Sequence, residues 1–213
     1  MQEPTTAERT VARRAAESRA TVPSIELAVE VEMAPSLDLR ERHTGSITAL
    51  LVRACALALR DHPRANGAYR DGHFELYSRI NVGIVVAVEG VYAIPTVFDA
   101  DEKPLDALTE EIEDLVAGTR AGRLASPAFS GATFTLWNAG ALGVDQANIP
   151  VVPSQSAVLA AGTIRETLVL GEGELIASRP MTVTLSCDHR ILYGARAAGF
   201  LEAVKSRLEH GEL

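Results

Sequence analysis

The sequence predicts a single α+β domain. Helical and extended patterns interleave along the whole chain, and no internal repeat or low-complexity linker divides it. Its 213 residues, 47% of them hydrophobic, are enough for one sizeable core. The elements follow in order. Residues 6–20 (TAERTVARRAAESRA) are rich in alanine and arginine, with Thr5 or Thr6 as N-cap, and predict a helix that closes before Pro23. From Ser24 to Met33, Ile25, Leu27, Val29 and Val31 alternate with Glu26, Glu30 and Glu32, as in a strand with one buried and one wet face. Residues 46–62 predict the clearest helix, capped by Thr44 or Ser46 and stopped by Pro63.

The middle of the chain turns to sheet. HFELYSRINVGIVVAV (73–88) predicts a hairpin or bent pair of strands, its second half apolar enough to be buried on both faces. Residues 104–121 open on Pro104 and predict a surface helix with Leu105, Leu108, Ile112, Leu115 and Val116 inward. Its acidic run, EEIED, reads as a solvated face rather than a partner patch. Strands are expected near 132–138, 156–165 and 174–186, with GEGE (171–174) as a hairpin turn, and a last helix over about 195–209.

Composition excludes several classes. A net charge of -8 argues against a nucleic-acid-binding face, which is normally basic. No apolar run approaches the ~18 residues of a membrane span, and the first 20 residues contain no apolar signal region. The expectation is a cytoplasmic protein without nucleic-acid or membrane partners. Cys55 and Cys187 sit inside apolar runs and read as buried thiols, and no metal-ligand spacing occurs.

Phosphate-cradling loops and the GxSxG elbow are absent. Among the five histidines, His43, His62, His73 and His210 lie in polar, turn-like or terminal contexts. His189 differs: it follows the alternating strand MTVTLSC, is flanked by Asp188 and Arg190, and precedes a turn ending in Gly194. That placement suits a general base. On spacing alone, a hydrogen-bonded turn histidine is the reading favoured over it.

The segment PMTVTLSCDHRILYGARAAGFL resembles the signature of the dihydrolipoyl acyltransferases, the catalytic cores of 2-oxo acid dehydrogenase complexes, whose pattern is DHRxxDG. Chloramphenicol acetyltransferase shares a related histidine motif. RTVARRAAESRATVP (9–23), ITALLVRACALALRDHPRANGAY (47–69), NVGIVVAVEGVYAIPTVFDAD (81–101), GATFTLWNAGALGVD (131–145) and IPVVPSQSAVLAAG (149–162) match the family in order and spacing. The resemblance implies a chloramphenicol acetyltransferase-like two-layer sandwich with a mixed sheet. It also implies a homotrimer whose active site lies between subunits, one contributing His189 and its neighbour much of the opposing wall. No lipoyl or subunit-binding domain is expected within residues 1–213. Acetyl-CoA would be a co-substrate, with no bound cofactor and no metal, and His189 would take the acceptor's proton as it attacks the thioester.

Two departures from the family pattern bear on the acceptor. Tyr193 stands where the family has Asp or Asn, a position that commonly meets an arginine of the opening helix, here Arg13 or Arg14. Trp137 stands in Phe134-Thr135-Leu136-Trp137-Asn138 where the family's FTISN serine helps stabilise the oxyanion. Thr135, Trp137, Asn138 and Tyr193 are therefore the oxyanion or acceptor-pocket candidates, and Asp188, Arg190 and Gly194 the motif's support. For Trp137, a plug in the channel is as good a reading, and for Thr135, a mere strand former. The expected function is a stand-alone O-acetyltransferase acting on a small-molecule hydroxyl, similar to the tetronate acetyltransferases of polyketide biosynthesis. The alternatives are acyl transfer to dihydrolipoamide supplied in trans, and a trimeric scaffold that has lost catalysis.

Overall fold

The computed structural model describes residues 3–43, 45–171 and 173–213. Thr44, one of two predicted caps, and Glu172 of the predicted GEGE turn lie outside them. Helix α1 (Thr6–Thr21) opens on a capping box, in which the Thr5 hydroxyl accepts from the Glu8 N–H and the Glu8 carboxylate accepts from the Thr5 N–H. Strand β1 (Ser24–Glu32) follows. Helix α2 (Ala34–Arg42) has no counterpart in the sequence reading. It carries proline in its first turn, where the missing N–H costs nothing, and the buried Ser36 hydroxyl ties it to the Leu208 carbonyl at 2.5 Å. Helix α3 (Ile47–Asp61) is capped by Ser46, which accepts from the Ala49 N–H at 3.1 Å.

The predicted strand pair at 73–88 and the predicted strand at 174–186 divide differently. Within 73–88, β3 (His73–Leu76) pairs backward with β2 (Gly67–Arg70) across Asp71-Gly72, both at positive φ. Its remainder forms β4 (Val82–Ile84) and β5 (Val86–Val88), and β5 pairs with β6 (Val91–Ala93). Strand β7 (Thr96–Val97) and helix α4 (Leu105–Arg120) follow, with Leu105, Leu108 and Ile112 of α4 buried as its pattern requires. After β8 (Phe134–Asn138) and β9 (Ala157–Ile164), the predicted strand 174–186 is two strands: β11 (Glu174–Ser178), paired with the unpredicted β10 (Thr167–Gly171), and β12 (Pro180–Asp188). The break falls at Arg179, whose N–H donates to the Glu32 carboxylate at 3.0 Å and whose carbonyl accepts from the Met33 N–H at 3.0 Å. Helix α5 (Gly194–His210) completes the chain.

Six strands form one mixed sheet in the order β1-β12-β9-β8-β4-β7. The β9–β8 and β8–β4 pairs are parallel, the others antiparallel. Side chains alternate across it: Phe134, Leu136, Leu159, Val183, Leu185 and Cys187 join the main core with α3, α4 and α5, while Thr135 and Trp137 face the other way. The fold is α+β. Cys55 and Cys187 are both buried and unpaired, and burial pushes each thiol up to about 12. Among the described residues, no helix is long and apolar enough to cross a membrane, and no group of three or more His, Cys, Asp or Glu side chains could hold a metal ion.

Candidate active site

Strand β12 runs between β1 and β9 and ends at Asp188, opposite Ser24. The pairing continues just beyond the strand: the Asp188 N–H donates to the Ser156 carbonyl at 2.8 Å, and the His189 N–H to the Pro23 carbonyl at 2.9 Å. Asp188 is only 1% exposed. Its carboxylate accepts from the Arg190 backbone N–H at 2.9 Å and from the guanidinium Nε and Nη2 at 2.9 and 2.7 Å. This fork, chiefly through its hydrogen bond, raises the Arg190 pKa above the ordinary arginine value. Ile191 and Leu192 are buried and anchor the far side of the turn, and Gly194 supplies the φ of +46° on which α5 starts.

The turn presents His189 to solvent. Its ring nitrogens make no hydrogen bond among the described residues, which sets it apart from the hydrogen-bonded turn histidine that spacing alone favours. Tyr193, 42% exposed, lies edge-on to the imidazole with ring centroids 6.2 Å apart. A free imidazole on a fixed turn can accept a proton from an incoming group and return it.

A separate cavity of about 240 Å³ opens on the other face of β8. Arg14 of α1, Val85, Tyr92, Thr135, Trp137 and Val152 are among its lining residues, and most of its wall is apolar. Thr135 is 2% exposed, and its hydroxyl donates to Gln155 Oε1 at 2.8 Å. Gln155 Nε2 in turn donates to the Ala132 carbonyl at 3.1 Å. The Thr135 proton is therefore engaged within the wall, which argues against its serving as a donor to a bound oxyanion. The Ser18 hydroxyl is likewise engaged, by the Val151 carbonyl at 2.6 Å. The Trp137 indole N–H has no hydrogen-bond partner among the described residues, so it is an open donor on this wall.

The structure separates some of the predicted site residues. Asn138 is not on the cavity wall: its Nδ2 donates to Thr48 Oγ1 at 3.1 Å, and its Oδ1 caps the turn Ala139–Leu142 through the Ala141 N–H at 3.3 Å. On its own chain it supports the strand end. Arg14 reaches the cavity and Arg13 does not; neither makes an ion pair or hydrogen bond with the His189 turn among the described residues. Tyr193 stands with His189 and Trp137 with the cavity, so on one chain they do not form a joint wall. His189 itself is absent from the cavity lining. Gln155 has no signal in the sequence, because a polar residue inside PVVPSQSAV carries no periodicity.

Comparison with known proteins bears on this arrangement. The family model for the 2-oxoacid dehydrogenases acyltransferase (catalytic domain) matches residues 2–213. The dihydrolipoyllysine-residue acetyltransferase component of the pyruvate dehydrogenase complex from Zymomonas mobilis is 35% identical over 211 residues, covering 94% of this chain and 48% of the relative. The chain spans about half the length of the curated relatives it matches. The crystal structure of a probable dihydrolipoamide acetyltransferase from Listeria monocytogenes superposes with a TM-score of 0.91 at 25% identity, over 98% of this chain and 94% of that one. A chloramphenicol acetyltransferase superposes at a TM-score of 0.58 and 14% identity over 92% of this chain and 94% of that one, a likeness of fold alone. With the Asp188-His189-Arg190 turn in place, the match along nearly the whole sequence shows that this chain belongs to the family of 2-oxoacid dehydrogenase acyltransferase catalytic domains.

Proposed function

We propose that this chain catalyses acyl transfer between CoA and dihydrolipoamide, with His189 as general base. The dihydrolipoamide acceptor, and not the small-molecule hydroxyl expected from Trp137 and Tyr193, is the reading that the acetyltransferase relatives support. The observation that carries it is the exposed imidazole of His189, without a hydrogen-bond partner among the described residues and held by its backbone on a turn fixed through Asp188. In the direction of acyl-CoA consumption, His189 takes the thiol proton as the sulfur attacks the thioester carbonyl. A tetrahedral oxyanion forms, the CoA sulfur leaves as the carbonyl re-forms, and the imidazolium returns the proton to it. Trp137 is the candidate to donate to the oxyanion, since the Thr135 hydroxyl is engaged by Gln155.

The same reading includes a homotrimer. His189 lies off the cavity wall of its own chain, and a second copy's His189 would complete the site. Acetyl-CoA is the proposed acyl donor. A second reading, transfer to a small-molecule hydroxyl, is favoured by one observation, the Trp137 ring on a largely apolar wall.

The test is consumption of acetyl-CoA, followed chromatographically, with dihydrolipoamide and with a panel of primary alcohols, for the purified protein and His189→Ala. Turnover with dihydrolipoamide that is lost in the variant supports the proposal. Turnover with alcohols alone replaces it by the second reading, and equal rates in both proteins end both.

A further inference from the structure

We propose that Tyr69 is a positioning residue for His189, acting through Arg190; the kinetic part of this inference rests on the general-base reading above. The Arg190 guanidinium carbon lies 4.6 Å from the centroid of the Tyr69 ring, within cation–π range. Arg190 is therefore held twice, on its edge by the Asp188 fork and against its side by the Tyr69 ring. The order along the chain gives this its consequence: His189 is the one residue between the two members of the fork.

Tyr69 is itself on a fixed platform. In the β2–β3 hairpin it pairs with Phe74, their ring centroids 6.1 Å apart. The hairpin's base is closed by Asn66, whose Nδ2 donates to the Tyr77 and Arg79 carbonyls at 3.0 and 2.9 Å. At Gly67 an added Cβ would stand 2.4 Å from the Glu75 carbonyl oxygen, so the two strands are as close as glycine allows. A second link joins the same two regions. The Ser156 hydroxyl donates to the Ala65 carbonyl at 2.7 Å, and the Ser156 carbonyl accepts from the Asp188 N–H at 2.8 Å.

The weak member of this chain of contacts is Arg190. The side chain of Asp188 is 2% exposed, but that of Arg190 is 31% exposed, so water competes for the guanidinium. The Tyr69 ring lies against the guanidinium and opposes its escape from the carboxylate into water. Without the ring, the fork exchanges with solvent and the turn gains freedom at His189. Small displacements of a catalytic group carry large rate penalties. The Tyr69 hydroxyl makes no hydrogen bond among the described residues, so the ring face, and not the phenol, performs this role.

Three variants test the proposal: Tyr69→Phe, Tyr69→Leu and Arg190→Lys. The first keeps the ring face, the second removes it, and the third keeps the charge without the flat fork. The primary readout is the side-chain nitrogen spectrum of His189, assigned by its loss in His189→Ala. One sharp environment is expected in wild type and Tyr69→Phe, and a shifted or exchange-broadened one in Tyr69→Leu and Arg190→Lys. The second readout is kcat with acetyl-CoA and dihydrolipoamide. It should fall roughly 3- to 30-fold in Tyr69→Leu and Arg190→Lys, the range for loss of a cation–π contact, with KM nearly unchanged and Tyr69→Phe at the wild-type rate. A His189 signal unaltered in both Tyr69→Leu and Arg190→Lys, or altered equally in Tyr69→Phe, overturns the proposal. Absence of turnover in the wild type would overturn the acyl-transfer reading alone, since the spectrum reports on the clamp without it.

Discussion

The two halves of the candidate site are built on different terms. The His189 turn is held from several sides: Asp188 is buried and accepts from three donor atoms of Arg190, the backbone of Asp188 and His189 pairs with Ser156 and Pro23, and Ile191 and Leu192 anchor the exit. The β8 wall is largely apolar, its Thr135 and Ser18 hydroxyls are engaged by neighbours, and its open indole donor belongs to Trp137. The first half fixes a reactive group in space, and the second mostly shapes a volume. Substitution in the turn should therefore slow the chemistry, whereas substitution in the wall should redirect it.

The largest effect is expected from His189→Ala. Loss of the general base should lower the rate of acyl transfer ~100- to 10,000-fold, with stability near wild type because the side chain is exposed. Asp188→Ala comes next. It removes the acceptor for three donors and should cost about 2 kcal/mol of stability in chemical denaturation, with a rate loss as the turn loosens. An unaltered stability would mean that the turn is held by its backbone pairing alone.

Smaller effects belong to the wall. Trp137→Ser should raise the rate with dihydrolipoamide several-fold relative to alcohols, because it restores a hydroxyl donor and volume. An unchanged acceptor preference would show that Trp137 does not set it. Thr135→Val should leave the rate within about twofold, since its proton already serves Gln155, while costing roughly 1 kcal/mol of stability for the unpaired Gln155 oxygen. A large rate loss there would transfer the donor role from Trp137 to Thr135.

The same division governs what could be read from the sequence. The turn was legible because its parts are local: an alternating strand, Asp188-His189-Arg190 in succession and Gly194 at the following helix start all lie within a few residues. Helices α3, α4 and α5 were legible for the same reason, each carrying its own apolar stripe and stop signal. Helix α2 was not, because its proline reads as a breaker until the carbonyl of Leu208, from the far end of the chain, accepts the Ser36 hydroxyl. The break at Arg179 depends on the carboxylate of Glu32, in a distant strand. Thr135 looks like a free hydroxyl in sequence, and only the folded chain brings Gln155 to it. Asn138 appears beside Trp137 in the sequence, yet strand alternation sends it to Thr48 instead.

The base and the cavity, apart on one chain, are proposed to meet between copies. Complementation of two inactive chains tests this: His189→Ala, with an intact cavity, and Ala87→Trp, at a β5 residue that lines the cavity, with the cavity filled but His189 present. Co-expressed in equal amounts, they should regain about a quarter of wild-type activity, the share of random neighbouring pairs in which one copy supplies the base and the other the open cavity. Activity no greater than the sum of the two separate proteins would contradict a site shared between subunits.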